Sequence, residues 1–330
     1  MRFDMHCHTK EGSLDGHVPL KDYVLRLKEL GYDGMMITDH NSYKAYRYYT
    51  RNAEDEEFRD FVILKGIEYD TPDAGHILIV MPSDTTFRIF EFRGMPVRLL
   101  IELVHACHGI LGPAHPNGEK YLSITNGRYY HKHPEVMGQF DFIEVYNSCI
   151  TEEANAEALA LAEQYGLPQT AGTDAHKYDC IGLAHTDFEQ PITSEDDLIY
   201  YIKNASTTLC EGTHYPGTSR DHLGYIYDMQ LRVWNLYNKV ANMYRASKRI
   251  RELIVLAAEN NNLVRRVVKL ITTDGDQDMV QSRHHRRAVN RYINRVFHKR
   301  RDLRIKLEEE VEEVEREEQE EEKKLKAAAS

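Results

Sequence analysis

The sequence predicts an α/β barrel followed by a helical, strongly charged region. Three observations lead there. Over roughly the first 200 residues, short β-prone runs alternate with amphipathic helical stretches. No GxGxxG or GxxxxGK[ST] loop accompanies them, which argues against a nucleotide-cradling open sheet. Metal-ligating residue types recur at the C-terminal ends of the predicted strands, the end at which barrel enzymes gather their chemistry.

The elements follow in order. Arg2 to Thr9 is the first strand candidate. Leu20 to Gly31 is a helix with Val24, Leu27 and Leu30 on one face and a glycine at its end. Gly34 to Asn41 is the next strand, followed by a tyrosine-rich helix around Tyr43 to Arg51. Phe61 to Tyr69 and His76 to Met81 are two more strands, and the helix Val97 to Cys107 leads into the strand Ile110 to His115. After a loop without a strong pattern comes the β-prone run Phe142 to Asn147. The helix Glu152 to Tyr165 starts behind a Thr151 cap and packs through Ala154, Ala158, Leu161 and Ala162. Pro168 to His176 is the last strong strand and Glu195 to Asn204 the last helix of this unit. Seven or so strands with intervening helices favour a barrel over an open sheet.

The chain divides accordingly into a barrel over 1–210, a basic helical region over 211–306 and an acidic tail over 307–330. Its net charge of −11 conceals this division. Arg245 to Lys306 carries roughly 17 Lys/Arg against about 6 Asp/Glu, whereas Leu307 to Lys326 returns roughly −7. By difference, the part before Arg245 sits near −15, a balance suited to binding cations. No apolar run reaches membrane-spanning length and the N-terminus lacks a signal-peptide stretch, so a cytoplasmic protein with no membrane partner is expected. The five cysteines are scattered without CxxC spacing, which indicates neither a disulfide framework nor a zinc finger.

The chemistry lies in the strand ends. The first ends in His6-Cys7-His8; alternate strand residues share a face, so both imidazoles point one way and Cys7 the other. The second ends in Thr38-Asp39-His40, the third carries Glu68, and the strand after it begins with His76. Ala114-His115-Pro116 closes another, and Thr173-Asp174-Ala175-His176 repeats the alternating pair. A lone histidine is more often structural, and that is the reading for His105, His108, His131 and His133. Agreement at six strand ends is not explained that way. Imidazole and carboxylate ligands suit manganese, zinc or iron, and a set this large exceeds the needs of one ion, so two or three divalent ions are expected.

These motifs resemble those of the PHP (polymerase and histidinol phosphatase) superfamily over about residues 1–205, in order and spacing. The resemblance implies a distorted seven-stranded barrel and a two- or three-metal phosphoesterase site. It implies His6, His8, Glu68 and Asp174 around the first metal, and Glu68 bridging to a second completed by His76 and His115. Asp15, His40 and His176 would form the third position, with His17 as the alternative to Asp15. It places the chain nearer the small nucleotide phosphoesterases than the polymerase-embedded domains. Relatives of that branch supply an arginine for phosphate after the His-Pro pair; here the loop reads Asn117-Gly118-Glu119-Lys120, leaving Lys120 or Arg128 for the role, against their reading as plain surface charge.

The expected reaction is hydrolysis of a phosphomonoester or phosphodiester, with a nucleotide, oligonucleotide or other phosphorylated small molecule as substrate. Glu68, His40 and His176 are the catalytic candidates, either histidine protonating the leaving oxygen if no third metal occupies it. Two alternatives stand beside it: a metal-dependent amidohydrolase, and a nucleic-acid-binding regulatory protein with an inactive barrel. The arginine-rich region could capture nucleic acid. The competing and favoured account pairs those arginines with the glutamates behind them, within the chain or across a homo-oligomer. Aromatic residues for stacking bases are sparse there (Tyr292, Phe297).

Overall fold

The computed structural model describes residues 1–118, 122–204 and 208–216, together with 229 and 233. The basic helical region and the acidic tail therefore lie outside the described residues, apart from 211–216, in which β9 ends, and Met229 and Val233, both helical.

The centre of the fold is β1 (Arg2–Cys7), buried from Phe3 onward on both faces. It pairs in parallel with β2 (Gly34–Ile37), which pairs in parallel with β3 (Val62–Asp70). Between β1 and β2 runs α1 (Leu20–Glu29), which buries Leu20, Tyr23, Val24 and Leu27. Each apolar side chain so buried contributes about 1.5–3 kcal/mol. Leu30, expected on that face, falls just past the helix end and is 37% exposed. Between β2 and β3 lies α2 (Lys44–Arg51).

The simple alternation then breaks. β4 (His76–Val80) runs antiparallel to β3 as a hairpin, with Asp70 opposite His76, and β5 (Ile110–Pro113), reached through α3 (Val97–Ala106), runs antiparallel to β4. This reversal brings the start of β4 to the same end of the sheet as the finish of β3. The stretch expected as a plain loop contains α4 (Arg128–Lys132) and short 3-10 turns at Ile124–Asn126 and Pro134–Gln139.

Two further strands, β6 (Ile143–Asn147) and β7 (Gln169–Gly172), form a parallel pair joined by α5 (Glu152–Tyr165). Thr151 caps α5 by accepting from Ala154 N–H at 3.3 Å, and Gly166 ends it at φ 63°, where a side chain would be strained. Beside β5, Asp141 N–H donates to Leu111 O (2.9 Å). Beside β1, Asp174 N–H donates to His6 O (2.8 Å), and Cys7 bridges Ala175. The pair thus spans the gap between β5 and β1, and β1 to β7 run round as a distorted barrel. Outside that ring, β8 (Ala184–Phe188) pairs antiparallel with β1 and carries β9 (Thr208–Gly212), after α6 (Glu195–Lys203) intervenes. β8 and β9 are additions to the expected strand set; their short alternating runs gave little periodic signal.

Several strands stop before the residues that matter. β2 ends at Ile37, β5 at Pro113 and β7 at Gly172. The backbone then turns out of the pleat, with Asn41 (φ 47°), His115 (φ 29°) and Asp174 (φ 53°) in the left-handed region. Such positions cost on the order of 1–3 kcal/mol each and persist where surrounding contacts over-determine them. His115 N–H donates to Glu144 Oε2 at 2.6 Å, which holds one of these turns.

Candidate metal centre

β1 delivers His6 and His8 to one face, as alternation requires, and their Nε2 atoms lie 3.2 Å apart. Two further donors meet them there. His8 Nε2 is 3.2 Å from Glu68 Oε2 and 3.0 Å from Asp174 Oδ1; His6 Nε2 is 3.5 Å from each of the same oxygens. These five separations, 3.0 to 3.5 Å, match the edges of a tetrahedron. Ligands at the usual zinc distances of 2.0–2.2 Å stand roughly 3.3–3.6 Å apart. Two imidazole nitrogens facing each other at this range share at most one proton. A cation held among them would relieve this crowding of donors.

Glu68 is the hub. Its Oε2 faces His6, His8 and His40 (Nδ1 at 2.9 Å), whereas its Oε1 faces His76 Nδ1 at 2.7 Å and His115 Nε2 at 3.2 Å. One carboxylate thus addresses two sets of imidazoles with separate oxygens, the arrangement of a bridging ligand. A further donor group joins His8, Asp15, His40 and His176. Asp15 Oδ2 lies 3.5 Å from His40 Nε2 and 3.6 Å from His176 Nε2. His17 belongs to none of these groups; its backbone N–H donates to His176 O and its side chain is exposed.

The site also contains residues that the sequence did not single out. Glu144 Oε1 lies 2.9 Å from His6 Nδ1 and so fixes the tautomer that presents Nε2 to the centre. Its other oxygen accepts from His115 N–H and Asn147 Nδ2–H. Ser13 Oγ lies 3.2 Å from His8 Nδ1 and accepts from His40 N–H. Asp70 Oδ1 is 3.4 Å from His40 Nδ1 and 3.5 Å from His76 Nε2. Asp70 was findable, since it stands two residues after Glu68 on one strand and shares its face by the alternation that pairs His6 with His8. Glu144, a lone carboxylate in an apolar β-prone run, was the other available signal.

Electrostatics favour a cation throughout. Burial alone would push the His6 imidazole down; Glu144, Asp174 and Glu68 reverse this and hold it well above its ordinary value. Burial opposes ionisation of Glu68, yet His40, His76, His6 and His115 hold its carboxyl well below the usual range. Asp174 behaves alike, against its burial, through His6, His8 and His176. Buried atoms without hydrogen-bond partners include Asp15 Oδ1, His40 Nδ1, Glu68 Oε2, Asp70 Oδ1 and His176 Nε2, all members of this cluster. Unsatisfied buried groups in such density are characteristic of a cation-binding cage. The donor groups are compatible with divalent metal ions.

Lys120 lies outside the described residues, and Arg128 opens α4. Lys65, the buried lysine of β3, donates from Nζ to Pro82 O and Ser83 O and takes no part in the donor groups.

Three comparisons bear on this arrangement. The model of the PHP-associated family matches residues 152–207, from α5 through α6. The chain is 30% identical over 87 residues to the DNA polymerase III PolC-type of Thermotoga maritima, covering 26% of this chain and 6% of that one. It is 40% identical over 45 residues to the protein of the same name from Lacticaseibacillus paracasei, covering 14% and 3%. The matched stretches thus span less than a tenth of those relatives' length. Among solved structures, PsfC from Pseudomonas syringae superposes with a TM-score of 0.49 at 17% identity, covering 73% of this chain and 98% of that one. A two-domain protein from Bacteroides vulgatus containing a predicted PHP-like metal-dependent phosphoesterase gives 0.46 at 15% identity, covering 64% and 65%. The PHP-associated match over 152–207 overlaps the last of the strand-end motifs, Thr173-Asp174-Ala175-His176.

Proposed function

We propose that this chain is a metal-dependent hydrolase of the PHP type that cleaves phosphate esters. The observation that carries the reading is Glu68, whose two oxygens face two separate imidazole sets within one buried cage. His6, His8, Glu68 and Asp174 would hold one ion, Glu68, His76 and His115 a second, and Asp15, His40 and His176 a third. Divalent ions so held supply Lewis acidity for the phosphoryl oxygens and make water nucleophilic near neutral pH. A displacement at phosphorus needs little covalent help from the protein beyond positioning and charge stabilisation, which suits a site built from ligands.

The chain's own groups do the rest. Glu144 orients His6, and Asp174 O fixes His176 by accepting from its Nδ1 at 2.8 Å, which leaves Nε2 as the working atom. If no third ion occupies them, His40 Nε2 or His176 Nε2 would give a proton to the leaving oxygen; His40 is the more open of the two, with its side chain 18% exposed. The alternative, C–N hydrolysis of the kind that barrels with similar ligands perform, finds less support: among the described residues Lys65, the buried lysine of β3, is committed to backbone carbonyls and not free for a carbamate.

Elemental analysis together with phosphate release from nucleotides, short oligonucleotides and sugar phosphates in added manganese tests the reading. Two or more ions with turnover support it. Ions bound with hydrolysis of amides and none of esters would replace it with the amidohydrolase. Failure to bind any ion would overturn it.

A further inference from the structure

We propose that Asn147 is a positioning residue of this centre: its amide holds Asp174 and Glu144 together, and so aims two ligands, Asp174 and His6, at one ion. The proposal rests on the metal-centre part of the reading above and adds to it the residue that couples these donors. Asn147 is the last residue of β6, pairs with Gly172 of β7 and is fully buried.

Its contacts come first. Asn147 Nδ2–H donates to Asp174 Oδ2 at 3.3 Å and to Glu144 Oε2 at 3.2 Å, and Asn147 Oδ1 accepts from Cys149 N–H at 2.9 Å. An amide has two N–H donors, and each carboxylate takes one. Turning the amide over would set its oxygen against two carboxylates and its NH2 against a backbone N–H, so the network fixes its orientation. All its polar side-chain atoms are engaged, and it serves the ligands rather than joining them. What these contacts select comes second. Asp174 has Oδ2 on Asn147 and presents Oδ1 to His8 Nε2 (3.0 Å) and His6 Nε2 (3.5 Å). Glu144 has Oε2 on Asn147 and His115 N–H, and Oε1 on His6 Nδ1 (2.9 Å). One amide thus helps decide which oxygen each carboxylate turns toward the histidines.

The mounting is the third observation. Asn147 N–H donates to Asn155 Oδ1 and Asn155 Nδ2–H donates back to Asn147 O, both at 3.0 Å, which fastens the end of β6 to α5. Ser148 Oγ–H donates to Thr173 O at 2.7 Å. The backbone that carries Asn147 is therefore held against the backbone that carries Asp174, whose φ of 53° is left-handed and needs such support. Filling this space alone would call for an apolar side chain. A buried amide is tolerated there because the two carboxylates and the Cys149 N–H engage it.

The test uses the full chain stripped of metal, as wild type, Asn147→Ala and Asn147→Asp. Calorimetry measures manganese affinity, the visible bands of added cobalt(II) report the geometry around the first ion bound, and urea unfolding of the metal-free protein reports the fold. Asn147→Ala should bind its tightest manganese ion about 10–100-fold more weakly, the range typical of lost outer partners of metal ligands. It should also shift the cobalt bands, while the metal-free protein still unfolds cooperatively. Asn147→Asp keeps the shape and the acceptor for Cys149 N–H, but when ionised it donates to neither carboxylate. Its added charge would by itself tighten cation binding, so weaker binding in this variant too reports the lost donors. Wild-type affinity and cobalt bands in Asn147→Ala would overturn the proposal. So would affinity at or above the wild type in Asn147→Asp, which would leave Asn147 as a support for the Cys149 turn alone. Should Asn147→Ala not fold, Asn147→Asp decides the question by the same criterion. A wild type that binds manganese but hydrolyses no phosphate ester would remove the phosphoesterase reading, whereas the manganese affinities would still decide the role of Asn147.

Discussion

Glu144 Oε1, on β6, lies 2.9 Å from His6 Nδ1, on β1, with both side chains fully buried. This contact decides which nitrogen of His6 points into the centre, and it crosses 138 residues of sequence. Glu144→Gln should keep the shape and lose the charge. Outer partners of metal-bound histidine typically contribute 10–100-fold in metal affinity, so manganese or zinc titration should show a loss of about that size. Unaltered affinity would show that the contact does not tune His6.

Glu68→Ala should remove the bridging ligand from a cage that the barrel does not need for its core. Turnover should fall by at least roughly a thousandfold, since the ions provide several kcal/mol of transition-state stabilisation. Metal content should drop by one ion or more, while far-UV circular dichroism stays that of the wild type. Retained activity would sink the proposed mechanism.

Gly172 ends β7 with its Cα against β1. A Cβ there would stand 2.3 Å from His6 Cβ and 2.4 Å from His6 N, and neither can move aside without moving the strand. Gly172→Ala should cost about 3 kcal/mol in urea unfolding, at the upper end of overpacking, and should weaken metal binding by shifting His6. A neutral substitution would mean that β7 and β1 are not packed this closely.

Asp73 carries a pH dependence separate from the metal centre. Burial pushes its carboxyl up to about 6 from an ordinary 3.8, although it accepts from Val97 N–H at 3.0 Å at the start of α3. The folded state therefore binds this proton more tightly than the unfolded chain. The stability so gained is fully present below about pH 4 and is lost as pH rises through about 6. Asparagine keeps the acceptor and never ionises. Asp73→Asn should thus raise stability by about 1–2 kcal/mol at pH 8, with little difference at pH 4. Urea midpoints at the two pH values check this; an equal effect at both would exclude the linkage.

The sequence by itself determined the ligands carried in local patterns. His6 and His8 share a face because strands alternate, and Thr173-Asp174-Ala175-His176 and Ala114-His115-Pro116 sit behind recognisable β-prone runs. Thr151 announced α5, and the structure shows the cap. Periodicity is a property of neighbouring residues, so it can be read without a fold. Only the tertiary structure decided what depends on distant segments meeting. β4 runs antiparallel to β3 and so brings His76 beside Glu68, and β6 lies beside β5 and brings Glu144 to both His6 and His115. Asn147 reaches Asp174 only because β6 and β7 lie side by side, with Asn147 opposite Gly172. A carboxylate in a β-prone run has the same local signature whether it meets solvent or a histidine; its role is set by which strands close the barrel.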